Sequence, residues 1–308
     1  MPAEDHRLTT REMARFVVDG FLRFDALIPA AINERAVQEM RRLLPVKFAR
    51  FGPDVPEEAA DAAQPVTGMR LSDCYPPPSA IGEVLRLSAV RGIIESLVGS
   101  DPIFDHDFVH FIPGGSPYRQ HLHVDAIIDT SEPAFDVQLF YFPTEVREGE
   151  GGTRFVPGTH LRHVRAEGVS RYQRIRGEQQ FSGPAGTLLA CHHGIWHAGQ
   201  PNPGDRERWM YKIRLNPRVP QVRLWNTADL EALQNDASDH VFATVPADSV
   251  GRILRRKHDW QRGHEERYDL TARARLWRHL TGDPDFDVDY YLTRLELRAS
   301  LSDRAVTG

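Results

Sequence analysis

The chain has 308 residues and a formal net charge of −5, which leaves no basic excess for a generic nucleic-acid binder. No apolar run approaches the roughly 20 residues that cross a bilayer, and the start MPAEDHRLTT lacks the apolar stretch of a signal peptide. Cys74 and Cys191 are the only cysteines, too few for a disulfide framework, so a reducing, cytoplasmic setting is expected.

In chain order, residues 8–44 read as helix, strand, helix. Thr9 and Glu12 have capping-box spacing, and Met13, Phe16 and Val17 follow a helical period up to Gly20. FLRF (21–24) reads as a short strand. Pro29 opens a second helix, with Ile32, Ala36, Val37 and Met40 on one face, and Pro45 is expected to end it. Residues 52–68 read as a loop, Pro76, Pro77 and Pro78 as a break, and residues 79–99 as one helix stopped by Gly99. From 103 to 217 the texture changes to short β-type runs between turn clusters: IFDHDFVHFI, HLHVDAII, VQLFYF, GGTRFVPGT, GTLLACHH and RWMYKIRL. Such spacing predicts an antiparallel sandwich or barrel. Residues 221–308 return to a helical, arginine-rich pattern with Leu270, Leu276, Trp277 and Leu280 as packing anchors and the charge on a solvated face. The expected organisation is one domain, 1–308: N-terminal helices and first strands (1–102), a β core (103–217) and a helical C-terminal extension (218–308).

Nine of the 14 histidines fall between 106 and 197, which directs attention there. If HLHVDAII (121–128) is a strand, His121, His123 and Asp125 share one face, with Leu122, Val124 and Ala126 on the other. Two imidazoles and one carboxylate on one side of a metal leave three positions open, the facial triad of non-haem Fe(II) oxygenases. A histidine from elsewhere is needed, and CHHGIWHAGQPN (191–202) offers three. His197 lies near a strand end, where a barrel opens; His192 and His193 compete on position alone, and His121 could replace His123 in a shifted register. Arg208 follows eleven positions after His197 and shares a strand face with Met210, Lys212 and Arg214. An arginine facing into a barrel is costly unless paired, and a dicarboxylate would supply the partner through a bidentate contact.

His123-Val124-Asp125, GEGGTRFVPGTH (149–160), WHAGQPN (196–202) and Arg208, taken in order, resemble the phytanoyl-CoA dioxygenase family. TREMARFVVDGFLRF and SAVRGIIESLVGSDPIF resemble the family's usual opening and the helix leading into its barrel, so the likeness spans about residues 8–217. It implies a mainly β fold with flanking helices, a double-stranded β-helix of the jelly-roll, cupin-like kind. It implies Fe(II), 2-oxoglutarate as cosubstrate, and O2, with release of succinate and CO2. Residue by residue, His123, Asp125 and His197 match the iron ligands and Arg208 matches the grip on the far carboxylate of 2-oxoglutarate. Gln138 falls where the family has a polar residue near the cosubstrate. His106, Phe108 and His110 share one face of the strand that lines the pocket in this family, so His106 and His110 are candidate substrate contacts, with His121 a further pocket residue. Two positions depart from the pattern. Gly199 stands where the family often has serine, and the pocket-lining strand has histidines and phenylalanine where the family often has lysine or arginine. Asp125 is kept, whereas related halogenases replace this carboxylate with a small residue, so hydroxylation or a related oxidation is implied.

His160, His192 and His193 read as structural or pocket-lining. The segment 161–180, with Arg162, Arg165, Arg171, Arg174 and Arg176, offers either a grip on an anionic small molecule or a solvated loop. The reading from another class is a cupin-like metal-binding protein, or a Zn or Mn enzyme without 2-oxoglutarate; an inward Arg208 separates the two. The partner expected is a small-molecule substrate, with no nucleic acid and no membrane, and neither the substrate nor the oligomeric state is specified by the residues.

Overall fold

The computed structural model describes residues 5–49, 64–125, 133–234 (except 163, 165 and 173) and 248–288 (except 264). Helix α1 (Thr10–Asp19) opens on the expected capping box: the Thr9 hydroxyl accepts from the Glu12 amide and the Thr9 amide donates to the Glu12 carboxylate at 2.8 Å. Gly20 ends it with φ +77°, and a Cβ there would lie 2.4 Å from the His160 ring, so conformation and space both demand glycine. Strand β1 (Phe21–Phe24) follows, then α2 (Ala30–Ala49).

Two expectations are corrected here. Pro45 does not end α2, which continues to Ala49. A proline inside a helix removes one hydrogen bond, but the buried face of Ile32, Ala36 and Met40 already holds this helix to the core. The helix expected over 79–99 is two, α3 (Ala80–Arg86) and α4 (Ser88–Val98), broken at Leu87 with ψ 134°. The bend at one extended residue lets Ile81 and Val84 of α3 and Ile93, Ile94 and Leu97 of α4 all reach the core. Of the loop read at 52–68, residues 52–63 lie outside the described residues.

Seven further strands follow: β2 (Ile103–Ile112), β3 (Val137–Phe142), β4 (Arg154–Val156), β5 (Gln179–Gln180), β6 (Thr187–His192), β7 (Trp196–Ala198) and β8 (Arg208–Asn216). A short helix α5 (Ala166–Ser170) precedes β5, and α6 (Leu230–Gln234), α7 (Val250–Leu254) and α8 (Glu265–Thr281) follow β8. The strands form a five-stranded sheet ordered β1-β6-β3-β8-β2 and a three-stranded sheet ordered β5-β4-β7, every pair antiparallel. Together they make a double-stranded β-helix. The central strands β6, β3 and β8 of the larger sheet are buried on both sides, which explains why VQLFYF and TLLACH lack alternation. Its outer face, with Leu139, Tyr141, Tyr211 and Ile213, packs on the helices in one core that takes in Leu276, Trp277 and Leu280 of α8. Leu270 is only partly buried there. Its inner face, with Phe140, Phe142, Leu189 and Met210, meets Phe155 of the smaller sheet. No helix among the described residues is long and apolar enough to cross a membrane.

The strand expected at 121–128 is a further correction. Among 121–125 only His123 pairs, through a single bridge to His197 with both amide–carbonyl bonds at 3.0 Å, and 126–128 lie outside the described residues. Side chains two apart on a strand stand roughly 6.6 Å apart along it. Ligands for one ion must converge more closely, and a chain that leaves the strand after one bridge can bring Asp125 back beside His123.

Candidate metal and cosubstrate site

His123 comes from this loop, His197 from the middle of β7, and the bridge between them sets their rings 4.5 Å apart. The His121 carbonyl accepts from His123 Nδ1 at 2.9 Å and the Ile195 carbonyl from His197 Nδ1 at 3.1 Å. Each backbone bond fixes the tautomer and leaves Nε2 with its lone pair toward Asp125. The carboxylate oxygens lie 3.6 Å from His123 Nε2 and 3.3 Å from His197 Nε2. The donor atoms of all three residues fall within 4.8 Å of one another.

Protonation suits the donors to a metal. Burial pushes His197 down to about 4, aided by His123 and Lys212 and opposed by Asp125, so its imidazole is neutral near pH 7. Burial works against an ionised Asp125, but His197, Lys212 and His123 outweigh it and hold the carboxyl well below the usual carboxylate range.

These groups line a cavity of about 560 Å³. Its walls include Phe108, His110 and Ile112 of β2, Phe140 of β3, and Arg208, Met210 and Lys212 of β8. The β2–β8 register sets Ile112 opposite Arg208, His110 opposite Met210 and Phe108 opposite Lys212. Arg208 is 3% exposed; its one polar contact among the described residues is Nη1 to the Thr153 hydroxyl at 3.4 Å, and its Nε has none. Burial pulls its pKa down to about 10, so it stays charged at neutral pH. A buried guanidinium without an anion is costly, and it fits a carboxylate brought in by a ligand. The donor set therefore suits iron, and the cation suits 2-oxoglutarate.

The remaining candidate residues are dispersed. His110 lines the cavity, has no partner for Nε2 among the described residues, and is held neutral, its pKa pushed down to about 3 first by burial and then by Lys212 and Arg208. His106 pairs with Asp105 at 3.0 Å and is not among the lining residues. The His121 side chain is exposed, and its carbonyl is what reaches the site. Gln138 is fully buried with neither amide atom hydrogen-bonded among the described residues, on the same β3 face as Phe140 but away from the cavity lining. His192 and His193 serve the fold: His192 Nδ1 accepts from the Gly194 amide and His193 Nδ1 from the Asp136 amide. His160 contacts the Val17 carbonyl at 3.2 Å. The Gly199 amide donates to Gln120 Oε1 at 2.9 Å, and a Cβ there would meet the same flexible side-chain oxygen at 2.9 Å. Lys212 was placed on the Arg208 face by strand alternation but given no role. Its ammonium lies 2.6 Å from Asp125 Oδ2, a contact between β8 and a loop 87 positions away that no local pattern announces.

A double-stranded β-helix whose cavity holds two imidazoles, a carboxylate and a buried arginine defines the class of Fe(II)- and 2-oxoglutarate-dependent oxygenases. Comparison with known proteins narrows it. The chain belongs to the phytanoyl-CoA dioxygenase family, whose model matches residues 16–210. Iron, 2-oxoglutarate and O2 are accordingly its cofactors, and small molecules are the substrates of such enzymes. Among solved structures, EctD from S. alaskensis with bound Fe is 14% identical, with 70% of this chain and 79% of that one covered and a TM-score of 0.52. HygX from Streptomyces hygroscopicus with nickel and 2-oxoglutarate bound is 14% identical, with 69% and 88% covered and a TM-score of 0.50. At these identities the likeness concerns the fold. No curated protein matches the chain in sequence.

Proposed function

We propose that the protein hydroxylates, or otherwise oxidises, a C–H bond of a small molecule, with His123, Asp125 and His197 as iron ligands and Arg208 as the grip on the far carboxylate of 2-oxoglutarate. The observation that carries this reading is the coincidence, in one cavity, of a three-donor cluster with a buried guanidinium that has no carboxylate partner among the described residues. Bound iron and 2-oxoglutarate supply oxygen activation coupled to decarboxylation of the cosubstrate to succinate and CO2. The chain supplies position and dryness. The backbone bonds at His121 and Ile195 aim the imidazoles, and Phe108, Phe140 and Met210 keep water from the reacting groups. Neutral His110 offers one ring nitrogen to a polar group of the substrate. The separating feature named for a metal-binding cupin, an inward Arg208, goes against that alternative.

The reading is tested by anaerobic titration of the apo-protein with Fe(II), then 2-oxoglutarate, watched by visible absorption. A weak charge-transfer band requiring both is expected; iron binding with no band on adding 2-oxoglutarate would defeat the assignment. The same titration separates the neighbouring histidines. His123→Ala should weaken Fe(II) binding by at least the roughly 10–100-fold typical of a disturbed metal site. His121→Ala should leave it within about threefold, because its contribution is a backbone carbonyl that the substitution keeps. Loss of iron in His121→Ala alone would exchange the two assignments.

A further inference from the structure

The basic segment 161–180, which the sequence offers as a grip on an anionic molecule or a solvated loop, holds two of its arginines in ion pairs. Arg162 pairs with Asp269 at 2.8 Å, Arg174 with Glu178 at 3.4 Å, and no described residue of the segment lines the cavity. The cavity itself carries a stronger candidate. Its described lining includes two cations, Arg208 and Lys212, and one acid, Asp125. Lys212 is 5% exposed, its ammonium 2.6 Å from Asp125 Oδ2 and 5.8 Å from the Phe108 and Phe140 ring centres. Apart from those weak ring contacts, its compensation among the described residues is a carboxylate that the metal also claims.

Once the site is loaded, the charges can be counted. The two positive charges of Fe(II) are met by Asp125 and the chelating carboxylate of 2-oxoglutarate, and the far carboxylate meets Arg208. Among the described residues the ammonium of Lys212 is the charge left over, in a buried place where an unmatched cation is expensive. Without this lysine the described site, loaded with Fe(II) and 2-oxoglutarate, would be neutral before the substrate enters. We infer that Lys212 receives a carboxylate of the substrate, so that the molecule oxidised is a small acid whose anionic group settles beside Asp125, between Phe108 and Phe140. The excess is a single charge, which favours a monoanion over a doubly charged phosphate. This inference rests on the Fe(II)/2-oxoglutarate reading above.

The test uses the full-length protein under anaerobic conditions, loaded with Fe(II) and saturating 2-oxoglutarate, with acetate as the probe and acetamide as its neutral counterpart. Perturbation of the charge-transfer band reports binding. In the wild type acetate should bind and acetamide should not. Lys212→Gln keeps a polar partner for Asp125 while removing the charge. It should weaken acetate at least tenfold, leave Fe(II) and 2-oxoglutarate affinities within about threefold, and melt as a folded protein, as expected for the loss of one charge-assisted hydrogen bond. Lys212→Arg, which keeps the charge, should recover most of the acetate response and guards against a misfolded glutamine variant. Acetate binding that is unchanged in Lys212→Gln would mean the anion sits on iron alone and would overturn the inference. A tenfold loss of 2-oxoglutarate affinity would assign Lys212 to the cosubstrate, and a loss of Fe(II) affinity alone would assign it to holding Asp125; both overturn it too. Absence of any 2-oxoglutarate-dependent band in the wild type would be a failure of the underlying class reading, recognisable before acetate is added.

Discussion

Asp125→Ala is expected to abolish 2-oxoglutarate turnover and to lower the melting temperature of the metal-free protein. The first effect follows from the donor set. The substitution leaves two imidazoles and no anionic donor among the described lining of the cavity, so Fe(II) loses the ligand that neutralises half its charge. The second effect follows from Lys212. Removing one partner of a buried ion pair typically costs about 3–5 kcal/mol, because the other charge is left unpaired. Lys212 is 5% exposed, so a loss of that order is the expectation here. Asp125→Asn separates the two effects. Its side-chain oxygen can still accept from Lys212, so it should recover stability while remaining inactive. Succinate release and thermal melts of both variants decide the matter. Near-normal turnover in Asp125→Ala would remove the residue from the ligand set, and an unchanged melting temperature would mean the Lys212 contact contributes little.

How much of this was legible beforehand depends on the range over which each signal acts. The Thr9–Glu12 cap and the Gly20 stop are local and were readable residue by residue. The inward row Arg208, Met210, Lys212 was readable from period two because β8 is a long regular strand. His123, Asp125 and His197 were found as a set, yet on a wrong local premise: 121–125 is a loop with one bridge to β7, and the bend that spoils the strand is what lets the donors converge. Alternation alone could not have shown that. The break at Leu87 and the survival of α2 past Pro45 are settled by packing between distant segments, where local propensity is outvoted. The same holds for Lys212, whose importance depends on a contact with a residue 87 positions earlier. Phe108 and Phe140, which flank it, become neighbours only through the sheet order β3-β8-β2.

Arg208→Ala should raise the 2-oxoglutarate concentration needed for half-maximal turnover by about 100-fold or more, with Fe(II) affinity changed by less than about threefold. Two charge-assisted hydrogen bonds between a guanidinium fork and a carboxylate, at about 1.5–3 kcal/mol each, account for an effect of that size. The described wall around the residue offers nothing to replace it: Thr153, 3.4 Å from Nη1, is a neutral hydroxyl, and Lys212 stands two inward positions further along β8. Stability gives the prediction its second edge. Arg208 has no anionic partner among the described residues, so its removal strands no buried carboxylate and relieves an unpaired buried cation. The melting temperature of the metal-free variant should therefore hold or rise, the reverse of Asp125→Ala. Arg208→Lys keeps the charge but loses the fork, and should fall between wild type and alanine in its 2-oxoglutarate requirement. If alanine at 208 weakened iron and 2-oxoglutarate alike, or lowered the melting temperature by several degrees, Arg208 would be a structural cation of the barrel, and the cosubstrate would have to be gripped elsewhere in the cavity.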